Sequence, residues 1–107
     1  MSKPFRLLAC ASVMALGAQP AWAHGYELAG RCEPQGARVV RCTAGIDGRP
    51  VPGARIDVVA ADGDAILLGG RLDGQGRFSF ERPAVPFYVV IEAKPGIALD
   101  IGDEEIK

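Results

Sequence analysis

Apolar and polar residues alternate along most of this chain with a period of two. The clearest run lies between Asp47 and Phe80. There Ala54, Ile56, Val58 and Ala60 share one strand face, Ile66 and Leu68 a second, and Phe78 and Phe80 a third, because successive side chains of a strand point to opposite sides. Asp47-Gly48, Asp62-Gly63 and Asp73-Gly74-Gln75-Gly76 punctuate the run at about the spacing of one strand plus its turn. Such alternation predicts an antiparallel sheet with one buried face.

The same pattern extends in both directions. Leu28 to Cys32 reads as a first strand ending at Pro34-Gln35-Gly36, and Val39 to Ile46 returns with Val40, Cys42, Ala44 and Ile46 on one face. Pro50 and Pro52 bar regular pairing ahead of the Ala54–Ala60 strand, since proline donates no ladder hydrogen bond. Ala65 to Leu68 follows, with Gly69-Gly70 marking a bulge or bend. Arg77 to Phe80, Phe87 to Glu92 and Ile97 to Ile101 complete about seven short strands. No convincing 3.6-residue period with caps occurs, so little or no helix is expected. The expectation is an all-β chain: one prealbumin-like or immunoglobulin-like β-sandwich burying Ile56, Val58, Ile66, Leu68, Phe78, Phe80, Val89 and Ile91 between its sheets.

The first residues change the picture, because they read as an address. Lys3 and Arg6 precede an apolar run, Leu7 to Ala18, that is too short to span a bilayer, and Ala21-Trp22-Ala23 offers small residues at both positions a signal peptidase reads. Residues 1–23 are therefore expected to be a cleaved signal peptide. The sandwich domain, residues 24–107, keeps 107 − 23 = 84 residues. Two rival cuts are weaker. Leu7-Leu8-Ala9-Cys10 resembles a lipoprotein signal with too short an apolar run, and a cut after Ala21 puts Gln19 where a small residue is wanted. With no second apolar segment, the domain is expected in the periplasm without a transmembrane segment.

Charge and cysteine follow from that cut. The chain has 12 basic and 13 acidic residues, and losing Lys3 and Arg6 leaves 10 against 13, net −3. Nothing in that balance favours nucleic acid. Cys10 leaves with the signal, so Cys32 and Cys42 remain as an even pair in an oxidising compartment and a disulfide is expected. Two thiols with no histidine or further cysteine nearby make a poor zinc set. One small domain has only a marginal core of its own, so a bridge matters.

The run Gly48-Arg49-Pro50-Val51-Pro52-Gly53-Ala54, then a strand, then Leu72-Asp73-Gly74-Gln75-Gly76-Arg77-Phe78-Ser79-Phe80, then Tyr88-Val89-Val90-Ile91 resembles the carboxypeptidase regulatory-like domains. These are transthyretin-like sandwiches, also grouped with carbohydrate-binding-like folds. Leu72 stands where threonine is usual, and the resemblance covers about Gly48 to Gly96. It implies the fold and an accessory role, and is nearly silent on activity. More narrowly, Ala23-His24-Gly25 at the cut followed by such a domain looks like periplasmic accessory proteins of bacterial nickel and cobalt uptake, although these usually carry a membrane segment or longer tail. That likeness implies a membrane transporter as partner.

His24 is the only histidine. As a new N-terminus it would offer an amine and an imidazole on one residue, a nitrogen pair suited to Ni²⁺, Co²⁺ or Cu²⁺. A histidine brace needs a second histidine, and the amino-terminal copper and nickel motif needs histidine third, so neither applies. The Asp62 and Asp73 loops lack the glutamate a calcium loop requires and read as turns, and Asp100, Asp103, Glu104 and Glu105 read as a solvated acidic terminus. No Ser/His/Asp set forms without His24, and transthyretin-like hydrolases rely on several histidines and a tyrosine-rich C-terminal motif that Lys107 does not supply. The expectation is a non-enzymatic module. Its first role is metal handling through His24. Its alternative is a cell-envelope interaction module for a peptide, glycan or protein partner, presenting Tyr26, Tyr88 and the Arg31, Arg38, Arg41 group.

Overall fold

The computed structural model describes residues 27–107. They form eight strands: β1 (Leu28–Gln35), β2 (Val39–Ile46), β3 (Arg49–Pro50), β4 (Arg55–Ala60), β5 (Ile66–Arg71), β6 (Arg77–Glu81), β7 (Phe87–Lys94) and β8 (Ile97–Gly102). A 3-10 turn, Asp103–Glu105, follows. Two four-stranded sheets result, all neighbours antiparallel. In sheet A, β2 pairs with β1 on one side and with β3 and β6 on the other. Sheet B runs β5-β4-β7-β8. The all-β sandwich expected from the alternation is the fold found.

The inner faces follow the predicted parity. Val40, Cys42 and Ala44 of β2 and Phe80 of β6 are buried against Ile56, Val58, Val89, Ile91 and Ile101 of sheet B. Phe80 meets Phe87 edge-on across the sheets, ring centroids 6.1 Å apart, the orientation aromatic quadrupoles favour. Phe78 is half-buried at the rim. Its ring occupies the space above Gly70, where an added Cβ would lie 2.5 Å from Cε1. Gly70 is thus a place of close approach. The irregularity assigned to Gly69-Gly70 falls instead opposite Val58 and Val59, with Leu67 as the extra residue.

Turn chemistry sets the registers. Asp47 and Gly48 both take positive φ, 52° and 81°, which is the two-residue hairpin turn whose twist matches its strands. It places Arg49 opposite Ile46 and Pro50 opposite Gly45. Pro50 therefore joins a short edge strand that the sequence reading had excluded; a sheet edge tolerates its missing donor. That strand raises the count from about seven to eight. The first turn is centred on Ala37, since Gln35 pairs with Val39. Pro34 consequently lies in edge strand β1 rather than in the turn.

Three expectations about burial need correcting. Ile66 and Leu68 are 59% and 41% exposed, because β5 is the outermost strand of sheet B, with β4 as its one neighbour, and the bulge at Leu67 breaks its alternation. The acidic terminus is docked: Asp103 Oδ2 accepts the Phe87 N–H at 3.0 Å, Glu105 Oε2 accepts the Gly102 N–H at 3.1 Å, and Ile106 is buried in the core. Ile106 lies close enough to Ile101 in sequence to be drawn in once the turn forms, and apolar burial outweighs the solvation of its neighbours.

Candidate functional site

Because Val40, Cys42 and Ala44 point inward, Arg41 and Thr43 must point to the outer face of sheet A. The registers then bring distant residues into rows. Thr43 pairs with Arg31 of β1 and with Arg77 of β6, and Arg41 pairs with Glu33 of β1 and with Ser79 of β6. Three arginines thus surround two hydroxyl-bearing residues on one face. Arg31 Nε is held by Glu33 Oε2 at 2.8 Å, and Arg38, in the β1–β2 turn, reaches Glu81 Oε2 at 2.7 Å. Arg41, Arg49 and Arg77 have no ion-pair partner among the described residues.

At the end of this face lies an open depression of about 370 Å³. Arg31, Thr43, Arg49, Gln75, Gly30, Gly45 and Pro50 are among its lining residues, and no carboxylate lines it among the described residues. Two of its lining glycines have no room for a side chain. A Cβ at Gly45 would lie 2.5 Å from the Arg49 carbonyl oxygen, and one at Gly30 2.9 Å from that of Thr43. The walls are fixed by the next turn. Asp73 Oδ1 accepts the N–H groups of Gln75 (2.8 Å) and Arg77 (3.0 Å). Those two bonds, first Arg77 and then Gln75, pull the Asp73 carboxyl below its ordinary value, and the nearby guanidinium charges of Arg77 and Arg41 pull the same way. Gly76 is buried here with φ 74°, its absent Cβ being 2.7 Å from the Ala44 carbonyl oxygen.

The other expected site residues fall elsewhere. Cys32 and Cys42 are joined in a disulfide between directly paired positions, Cα atoms 3.9 Å apart, so neither is a free ligand. Tyr88 is half-buried in sheet B and donates its hydroxyl to Asp64 Oδ1 at 2.9 Å. That bond raises the phenol above its ordinary pKa. His24 and Tyr26 lie outside the described residues, as does the expected signal peptide. Among the described residues no group of three or more His, Cys, Asp or Glu side chains is placed to hold a metal ion. No helix among them is long and apolar enough to cross a membrane.

Arg31 and Arg41 do share a face, as a cluster read from the sequence would have it, whereas Arg38 sits at its rim. Arg49, Arg77, Thr43 and Gln75 were missed. Parity alone would have found Arg77 and Ser79, since Phe78 and Phe80 define the inner side of their strand. No protein-family model, curated protein or solved structure matches this chain. What the geometry defines is a class: a disulfide-bonded β-sandwich with a basic outer face.

Proposed function

We propose that this chain is an exported, non-catalytic accessory module of the cell envelope, and that it holds an anionic partner on the outer face of sheet A. The observation that carries this reading is the set of arginines, Arg41, Arg49 and Arg77, that have no ion-pair partner among the described residues, beside a depression that none of the described carboxylates lines. In a domain whose overall balance is acidic, basic residues gathered on one face give a local field that the net charge conceals. Guanidinium groups bind carboxylates with two parallel N–H donors, and Thr43 and Ser79 add hydroxyls between them. The disulfide supports an oxidising compartment. The accessory role accords with the carboxypeptidase regulatory-like pattern of residues 48–96. Ser79, the only serine in the described region, stands beside Arg41 rather than beside a base, which supports a binding role.

Carboxylate-bearing partners are the chemistry this face fits. The test is a titration of the exported chain with polygalacturonate and, separately, with a glutamate-rich peptide, using neutral dextran as control. Binding to one acidic probe and not to dextran is expected. It should weaken with salt and drop at least tenfold in Arg41→Glu/Arg77→Glu, whose unchanged melting curve shows the sandwich intact. Equal affinity of the wild type and this variant would overturn the proposal, as would indifference to both acidic probes.

A further inference from the structure

The arginine face lies over the centre of sheet A, where β2 has neighbours on both sides. That position limits how a partner can be recognised. An extended peptide is ordinarily held through its main chain, which adds to a free strand edge and exchanges ladder hydrogen bonds with it. β2 has no such edge. On one side it pairs with β1 from Val39 to Ile46. On the other, β6 pairs with residues 39–43 and β3 with Gly45 and Ile46. Between these two, Ala44 donates its N–H to the Gly76 carbonyl oxygen and accepts the Val51 N–H.

The flanks of the face are closed as well. Arg77 has both backbone groups committed to Asp73: its N–H donates to Asp73 Oδ1 at 3.0 Å, and its carbonyl oxygen accepts the Asp73 N–H at 2.8 Å. β1, which carries Arg31, lies beside β8, and its Pro34 has no N–H to give to a ladder.

Recognition on this face therefore falls to side chains, and these are of two kinds. The guanidinium groups of Arg31, Arg41, Arg49 and Arg77 suit carboxylates. The hydroxyls of Thr43 and Ser79 and the carboxamide of Gln75 are neutral and can both donate and accept. The registers interleave the two kinds. Thr43 stands between Arg31 and Arg77, and Ser79 stands beside Arg41, with neighbouring strands about 4.8 Å apart. Thr43 and Gln75 also line the depression together with Arg31 and Arg49, where Gly30, Gly45 and Gly48 add no side-chain bulk. A chain bearing carboxylates alone, such as an acidic peptide, would engage the guanidinium groups and leave the hydroxyls and the carboxamide to water. A uronate ring carries a carboxylate and several hydroxyls on one rigid frame. It matches both kinds of group, and its rigidity lowers the entropy lost on binding.

We propose, on the basis of the anion-binding reading of this face, that its partner is an acidic polysaccharide of uronate residues, with carboxylates on the arginines and hydroxyls on Thr43, Ser79 and Gln75. The test compares a galacturonate oligomer with a glutamate oligomer of equal charge, each titrated into the exported chain. The galacturonate oligomer should bind at least about tenfold more tightly, since it alone adds neutral hydrogen bonds to the ionic ones. Thr43→Val keeps the shape of the side chain and removes its hydroxyl. It should weaken galacturonate binding about fivefold, the worth of one neutral hydrogen bond, and leave glutamate binding as it was, with the melting curve unchanged. Equal or tighter binding of the glutamate oligomer would overturn the polysaccharide assignment while leaving the anion-binding face in place. Galacturonate binding that Thr43→Val does not weaken would do the same. Indifference to both oligomers would overturn the anion-binding reading and the polysaccharide with it.

Discussion

Asp73 illustrates how one carboxylate positions several residues. Its side chain turns back onto the N–H groups of Gln75 and Arg77, fixing the turn that sets both beside the arginine face. Its folded pKa lies below the ordinary value, mainly through the Arg77 N–H. The linkage has a definite sign: ionised Asp73 stabilises the fold above the unfolded pKa, near pH 4, and that contribution disappears as pH falls through the lowered folded value. Asp73→Asn should therefore melt below the wild type at pH 7, and the gap should narrow steadily toward pH 3. A gap of constant size across thermal melts at both pH values would contradict this account. The Asp-Gly pairs were legible as turns because their chemistry is local. That Asp73 serves as the acceptor was also a local matter, but which side chains it places next to Arg41 depended on β6 pairing with β2.

At the scale of elements, the β1–β2 hairpin is the best-determined part of the chain. Cys32 and Cys42 face each other because the turn is centred on Ala37, and the bridge closes a loop with a sequence separation of 10. In the chain-entropy view such a link stabilises by roughly 2–3 kcal/mol. β1 relies on it, having β2 as its only sheet neighbour. The Cys32→Ala/Cys42→Ala pair should lose about that amount in urea denaturation, with the amides of β1 exchanging first. An unchanged urea midpoint would refute it. β4 and β5 show the opposite lesson. Both were read from alternation, yet Ile56 and Val58 are buried and Ile66 and Leu68 are not, because β4 lies between two strands, whereas β5 has only one and is bulged at Leu67.

For the whole molecule, the described sandwich leaves the N-terminal chemistry as a separate question. A chain processed after Ala23 would begin at His24, and its amine and imidazole would form a chelate. Calorimetry with Ni²⁺ on that chain should then register binding that weakens below about pH 6.5 as the imidazole protonates. Adding a methionine ahead of His24 should abolish it without altering the melting temperature, since a terminal residue contributes little to a core. Equal affinity in both chains would show that the amine is not a ligand.

Sequence alone determined the strand character, the turns and the cysteine pair of this protein. These depend on a period of two and on the φ preferences of Asp-Gly, which neighbouring residues express whatever lies beyond them. Tertiary structure alone decided which strands became edges, and hence that Ile66 and Leu68 stay uncovered within one chain while Ile106 does not. It also brought Arg77, distant in the chain, onto the face that Arg31 and Arg41 share. Strand neighbours are chosen by non-local pairing, so a side chain's company, unlike its direction, is not written in its own segment.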